Sequence, residues 1–200
     1  MNEENRHSGW SEAAWEIEIR RDEGRINRYF HELPVCIDLP GEEDFIFADI
    51  SSIPELVPGN TTSEEWKKLR RFEEESDDDN CENEEPSRVD ECISLLDRMS
   101  VEWNIICVGK LSPELWRTGV GITCAFSKLA ARIEDFNNTD KECERNLKAV
   151  LGKFMIKDLN SLVLQLSDLS RYQSSIDSDI SNLINDLSRL RTVLQNRIGR

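Results

Sequence analysis

Two histidines, His7 and His31, are all that this 200-residue chain offers for acid–base chemistry near neutral pH, where histidine is the side chain that ordinarily titrates. His7 belongs to the N-terminal segment. His31 closes an amphipathic stretch, where a cap or dipole role accounts for it. The nucleophile elbow, the phosphate-binding loop, the dinucleotide fingerprint and the paired-histidine zinc motif are all missing. None of the six cysteines forms a CxxC pair, and no histidine stands beside them at zinc-ligand spacing. The chain therefore reads as non-catalytic, with no cofactor and no metal.

A basic surplus is also missing. Against 40 Asp and Glu there are 25 Lys and Arg, a net charge of −15. That balance opposes direct nucleic-acid binding, which needs local positive charge, and docking on anionic membranes. No apolar run approaches the ~20 residues of a membrane span, so membrane insertion is not expected. The richest window, Val101 to Val120, is interrupted by Glu102, Lys110, Glu114 and Arg117. The start MNEENRHSGW lacks the apolar core of a signal peptide. A cytoplasmic or nuclear location follows. There Cys36, Cys81, Cys92, Cys107, Cys124 and Cys143 are expected as free thiols.

What is present is unevenly distributed. Residues 1–100 hold 28 acidic and 11 basic side chains, whereas residues 101–200 hold 12 and 14. The acidity peaks at Glu73–Glu85, a self-repelling run expected to be a solvated linker. Three segments result: an N-terminal region at 1–72, an acidic linker at 73–87 and a helical region at 88–200. Within the linker, Ser76 precedes Asp77, Asp78 and Asp79, which suits phosphorylation by an acid-directed kinase.

The N-terminal region is expected to be partly disordered. Ser11–Leu33 has the pattern of a broken amphipathic helix, with Trp15, Ile19, Ile26, Tyr29, Phe30 and Leu33 on one face. Gly24 weakens it, and Pro34 is expected to end it. Phe45, Ile46, Phe47 and Ile50 then stand among acids and prolines, as anchors either for a partner or for a fold-back onto the chain's own helices. Thr62 with Glu65 makes a capping box opening a helix that carries Trp66.

From Val89 the pattern becomes regular. Val89, Cys92, Leu96, Met99, Trp103 and Ile106 are spaced 3, 4, 3, 4, 3 along one helix stripe. Ser112-Pro113 signals the next helix start, followed by Leu115, Ile122, Phe126, Leu129, Ile133 and Phe136. Trp103 and Trp116 are both read as core residues. No proline follows Pro113. The heptad series Leu159, Leu162, Leu166, Leu169, Ile176, Ile180, Leu183, Leu187, Leu190 and Leu194 predicts one long helix from about Lys141 to Ile198, on the order of 85 Å. A kink is expected near Gly152 and a polar register residue at Gln173. Asp186 and Arg191 are placed to pair between parallel chains.

The expected fold is therefore all-α: an antiparallel bundle of three helices whose long, coiled-coil-like last helix reaches beyond it. The function read from it is that of a non-catalytic interaction subunit or adaptor in a larger eukaryotic-type assembly, binding other proteins or itself. Its anchors would be Trp15, Phe45, Phe47 and Trp66 in the acidic half and the Leu159–Leu194 stripe in the other. The alternative is an acidic regulator or chaperone whose 73–85 run binds a basic protein surface.

Overall fold

The computed structural model describes residues 10–36, 39–59, 61–66, 90–139 and 144–199. The chain divides into two compact units, Met1–Glu85 and Pro86–Arg200. Among the described residues there is no β-strand, and the fold is all-α. The acidic run and Ser76 lie outside the described residues, as do Leu69, Phe72, Val89 and Cys143.

In the first unit, α1 (Glu12–Cys36) is continuous. It runs through Gly24 and takes Pro34 into its last turn, where a missing N–H costs only one ladder bond. Gly24 is not a weak point but a place of close approach. A Cβ there would meet Leu56 Cδ2 at 2.8 Å. Gly41, at φ 75°, occupies the left-handed region open to glycine and leads into α2 (Glu42–Ser51). A 3-10 turn, Pro54–Leu56, follows.

The charged side of α1 ties these pieces together. Arg28 Nε donates to Asp49 Oδ2 on α2 at 2.7 Å. Arg25 Nε donates to the Leu56 carbonyl at 2.7 Å, and the Gly59 N–H donates to Glu18 Oε2 at 3.2 Å. Burial works to raise the Glu18 carboxyl, but bonds from Arg25, Arg21 and Gly59 outweigh it and hold it below its usual value. No α1 side chain is fully buried. Ile46, Ile50 and Val57 are. The Thr62–Glu65 capping box forms as its spacing predicts: Glu65 N–H donates to Thr62 Oγ1 at 3.3 Å and Thr62 N–H to Glu65 Oε2 at 2.9 Å.

The second unit is a helical bundle of α3 (Glu91–Lys110), α4 (Trp116–Asn138), α5 (Arg145–Tyr172) and α6 (Asp177–Ile198). Side-chain pairs fix each neighbour as antiparallel. Trp103 Nε1 donates to Thr123 Oγ1 at 3.0 Å between α3 and α4. Arg132 Nε stands 2.7 Å from Asp158 Oδ2 between α4 and α5. A Cβ on Gly152, early in α5, would lie 3.1 Å from Ile198 at the end of α6. Between α6 and α3, Lys110 Nζ bonds Asp179 at 2.6 Å and Arg98 bonds Asp186 at 3.3 Å. Each helix thus flanks the next and the last flanks the first, an up-down-up-down arrangement.

This corrects the expectation of three helices with a long final one. The heptad series is continuous in sequence, but the chain turns back at Gln173. Its backbone is extended (φ −139°, ψ 90°), and a 3-10 turn, Ser174–Ile176, returns the apolar pattern to the core at Ile176. Gln173 holds the reversal. Its Nε2 donates to the Lys110 carbonyl at 2.7 Å, and its Oε1 accepts from the Ser112 N–H at 3.0 Å. Ser170 also bonds Asp177 across the turn. Gly152 carries no break, since α5 passes through it and buries it. Asp186 is engaged within the chain, with Arg98 and Arg189.

Gln173→Ala is expected to lower the stability of this unit by about 1–3 kcal/mol, because two backbone groups of the facing turn lose their partner. A lower urea midpoint at unchanged slope would show it. An unchanged midpoint would mean that water replaces both bonds.

At the opposite end, Asp90 caps α3 by accepting from the Cys92 N–H at 2.7 Å. It also takes Arg197 Nη1 at 2.5 Å, and Asn137 Nδ2 donates to it at 3.1 Å. Burial raises the Asp90 carboxyl, but Arg197 and the two capping N–H groups outweigh it and leave it below its usual value.

Candidate interaction surface

The bundle's interior is fully used by its own helices. Cys92, Leu96, Met99, Trp103 and Ile106 of α3 are buried, as are Ile122, Phe126, Leu129, Ile133 and Phe136 of α4. The stripe read as a partner seam joins them. Leu159, Leu162, Leu166, Leu169, Ile176, Ile180, Leu183, Leu187, Leu190 and Leu194 are each 1% exposed or less. That reading is therefore corrected. A hairpin of α5 and α6 turns both halves of the stripe onto α3 and α4, and nothing of it remains on the surface.

Of the four N-terminal anchors, the structure brings Phe47 and Trp66 together. Trp15 is half-buried beside Trp10, with ring centroids 4.8 Å apart. Phe47 is half-buried edge-on to Trp66 at 4.9 Å, and Arg25 lies 5.2 Å from the same indole. Phe45 alone points outward, 61% exposed. Ile26 and Phe30, on the apolar side of α1, are also exposed.

The bundle carries a surface that sequence reasoning passed over. Val101, Ile105 and Val108, at i, i+4 and i+7, form a second stripe on α3, on the side away from its core stripe. Trp116 and Val120, at i and i+4, stand on α4. Exposure of these five ranges from 55% at Trp116 to 84% at Val108. Trp116 was expected in the core. It opens α4 after the 3-10 turn Pro113–Leu115, at a phase off the buried stripe of Ile122, Phe126, Leu129, Ile133 and Phe136.

The pairing of Trp103 with Thr123 sets the antiparallel register. A second close approach repeats it, since a Cβ on Gly119 would meet Cys107 Sγ at 2.7 Å. In that register Val108 is level with the segment between Trp116 and Val120, and Ile105 with Gly121. Trp103 and Cys107 face α4, so Ile105, two residues from each, points away from it, and the α3 stripe and the Trp116–Val120 pair are two separate exposed apolar groups.

No family model, curated protein or solved structure matches the chain. The surface has to be interpreted from its own chemistry.

The two glycines of α4 behave oppositely. Gly119 is buried, and its lack of a side chain lets α3 approach. Gly121 has nothing within 4 Å of where a Cβ would stand. Glycine at an exposed helix position costs about 1 kcal/mol relative to alanine, and no contact within the bundle accounts for it. Arg117, Gly121, Cys124 and Lys128, at i, i+4, i+7 and i+11, form one line down the outer face of α4. Two cations thus bracket two small residues. Lys128 reaches Asp158 at 3.4 Å and stays partly exposed.

The outer face of α6 differs. It turns Ser181, Asn182, Asn185, Ser188, Thr192 and Asn196 to solvent. On α5, Leu164 and Tyr172 are exposed. Four thiols are described, all free: Cys36, Cys92, Cys107 and Cys124. Burial pushes the Cys92 thiol up to about 11, which keeps it protonated and unreactive at neutral pH. Among the described residues no three His, Cys, Asp or Glu are grouped to hold a metal ion. Nor is any helix long and apolar enough to cross a membrane.

Proposed function

We propose that the chain is a non-catalytic protein–protein interaction subunit, an adaptor in a larger assembly, and that its bundle docks another protein through the outer face of α3. One observation carries this reading: Val101, Ile105 and Val108 form an exposed apolar stripe along α3, opposite a side of that helix that is already buried in the core. Exposed apolar patches on soluble domains mark contact surfaces more often than scattered single residues do. The polar outer face of α6 supports it by contrast, because the composition of this chain evidently allows a hydrophilic helix exterior.

The reading is tested with a photo-crosslinking side chain placed at Val108, and at Ser181 on α6, in the full chain in its native cells. Adducts from Val108 and none from Ser181 are expected. Equal patterns from both positions would sink the proposal.

A further inference from the structure

The apolar pattern runs through the turn at Gln173 without a change of count. Leu159, Leu166, Gln173, Ile180, Leu187 and Leu194 stand seven residues apart across it, and Ile176 keeps the companion series. A hairpin needs no such agreement, because each of its helices is free to start its own count. An unbroken helix needs it throughout. Gln173-Ser174-Ser175 holds neither glycine nor proline, so nothing in the segment strongly opposes a helix.

The bonds that hold the turn lie at or near the surface. Gln173 bonds the Lys110 carbonyl at 2.7 Å and the Ser112 N–H at 3.0 Å, and Ser170 bonds Asp177. The same end of the bundle carries its apolar surface. Among the described residues of the bundle, every large apolar side chain that is exposed lies in the half nearer Gln173. Val108 and Tyr172 belong to the last turns of α3 and α5, and Trp116 to the first turn of α4. The half closed by the Asp90–Arg197 clasp exposes none.

We infer that two copies of the chain associate by exchanging α6. The turn opens, and α5 and α6 join into one helix on the order of 80 Å long. Each copy's α6 takes the place of the other's against α3 and α5. The core contacts are kept, since the same side chains meet between chains instead of within one, which makes exchange a low-cost route to a dimer. The two long helices run antiparallel with Ser174–Ser175 at their midpoint, so the two ends that carried the turns come face to face. Trp116 and Tyr172 of each copy enter this new junction, and their burial offsets the freedom lost on association. Gln173 is the latch that opposes exchange, because its bonds to Lys110 and Ser112 belong to the folded-back chain. The inference does not rest on the docking reading of α3.

The test refolds the full chain from urea at low and at high protein concentration and separates monomer from dimer by size. A dimer fraction that rises with concentration is expected. Gln173→Ala should raise the dimerisation constant by about tenfold, because only the monomer loses bonds. Ser174→Pro should lower it on the order of a hundredfold or more, since proline disrupts a helix interior. The hairpin accepts that proline. Ser174 opens the 3-10 turn, and the extended backbone of Gln173 (φ −139°, ψ 90°) suits a residue before proline. The melting temperature of the Ser174→Pro monomer should therefore not fall.

Exchange is distinguished from end-to-end stacking by the paired change Gly152→Cys with Ile198→Cys. A Cβ on Gly152 would lie 3.1 Å from Ile198 Cγ2, which brings the two positions within disulfide reach. Oxidation of the isolated dimer should join two chains on a non-reducing gel, and oxidation of the isolated monomer should not.

Monomer alone at every concentration in both the wild type and Gln173→Ala would overturn the inference. So would a dimer that Ser174→Pro leaves unchanged, or a cross-link confined within each chain of the isolated dimer. Ser174→Pro leaves Val101, Ile105 and Val108 in place, so none of these results decides the Val108 crosslink.

Discussion

Leu166→Ala is expected to cost the bundle about 3–5 kcal/mol. Leu166 is fully buried near the middle of α5. Truncating it removes the transfer free energy of its methyl groups and leaves a cavity that close-packed helices fill only in part. Against the 5–15 kcal/mol of an ordinary domain, such a loss brings the unit near unfolding. Urea unfolding of the full chain, followed by its helical signal, measures it. The result discriminates between two uses of the same residue. A core leucine costs the isolated chain several kcal/mol. A leucine kept for a partner would cost it well under 1 kcal/mol, and a loss that small would return the Leu159–Leu194 stripe to the surface.

Arg132→Ala is expected to cost a comparable amount, about 3 kcal/mol or more, for a different reason. Arg132 is 6% exposed. It pairs with Asp158 at 2.7 Å and lies over the Phe154 ring at 4.6 Å. Removing it strands a largely buried carboxylate, the expensive half of a broken interior pair. Lys128, 3.4 Å from Asp158, limits the loss without abolishing it. The double change Arg132→Met with Asp158→Leu should restore most of the stability, because two apolar side chains of similar length need no solvation. If the double variant is as unstable as the single one, the cost lies in packing around Phe154 and not in the stranded charge.

Much of the bundle was legible in the sequence, and the reasons are local. The 3-4 spacing of Cys92 to Ile106 names a helix and its buried side together, since only one face of a 3.6-residue helix satisfies it. The Thr62–Glu65 box is equally local. The reversal at Gln173 was not legible in the same way. Heptad spacing states that a stripe is covered, and is silent about whether the cover is another molecule or the same chain folded back. Gln173-Ser174-Ser175 supplies three polar residues in succession without the glycine or proline that usually announces a turn. The tertiary bonds that stabilise the turn come from Lys110 and Ser112, more than sixty residues away.

The interaction surface was hidden by a related ambiguity. Val101, Ile105 and Val108 alternate with core residues of the same helix, so the window reads as generally apolar. Only the phase of each residue against Trp103 separates outer stripe from core. Trp116 was misplaced because its phase on α4 lies off the Ile122–Phe136 stripe, which is buried as expected.

The Asp90–Arg197 clasp has one more consequence. It brings the start of α3 within side-chain reach of the last turn of α6, so the four helices close into a ring. In such a ring the order of the helices along the chain is one of several equivalent ways to thread the same packing. A circular permutant that links Ile198 to Asp90 and opens at Ser174–Ser175 should keep all four helix seams. Its new termini would emerge at the end of the bundle opposite the present ones. The apolar stripe on α3 could thereby be presented at either pole of a fusion without altering a residue of it.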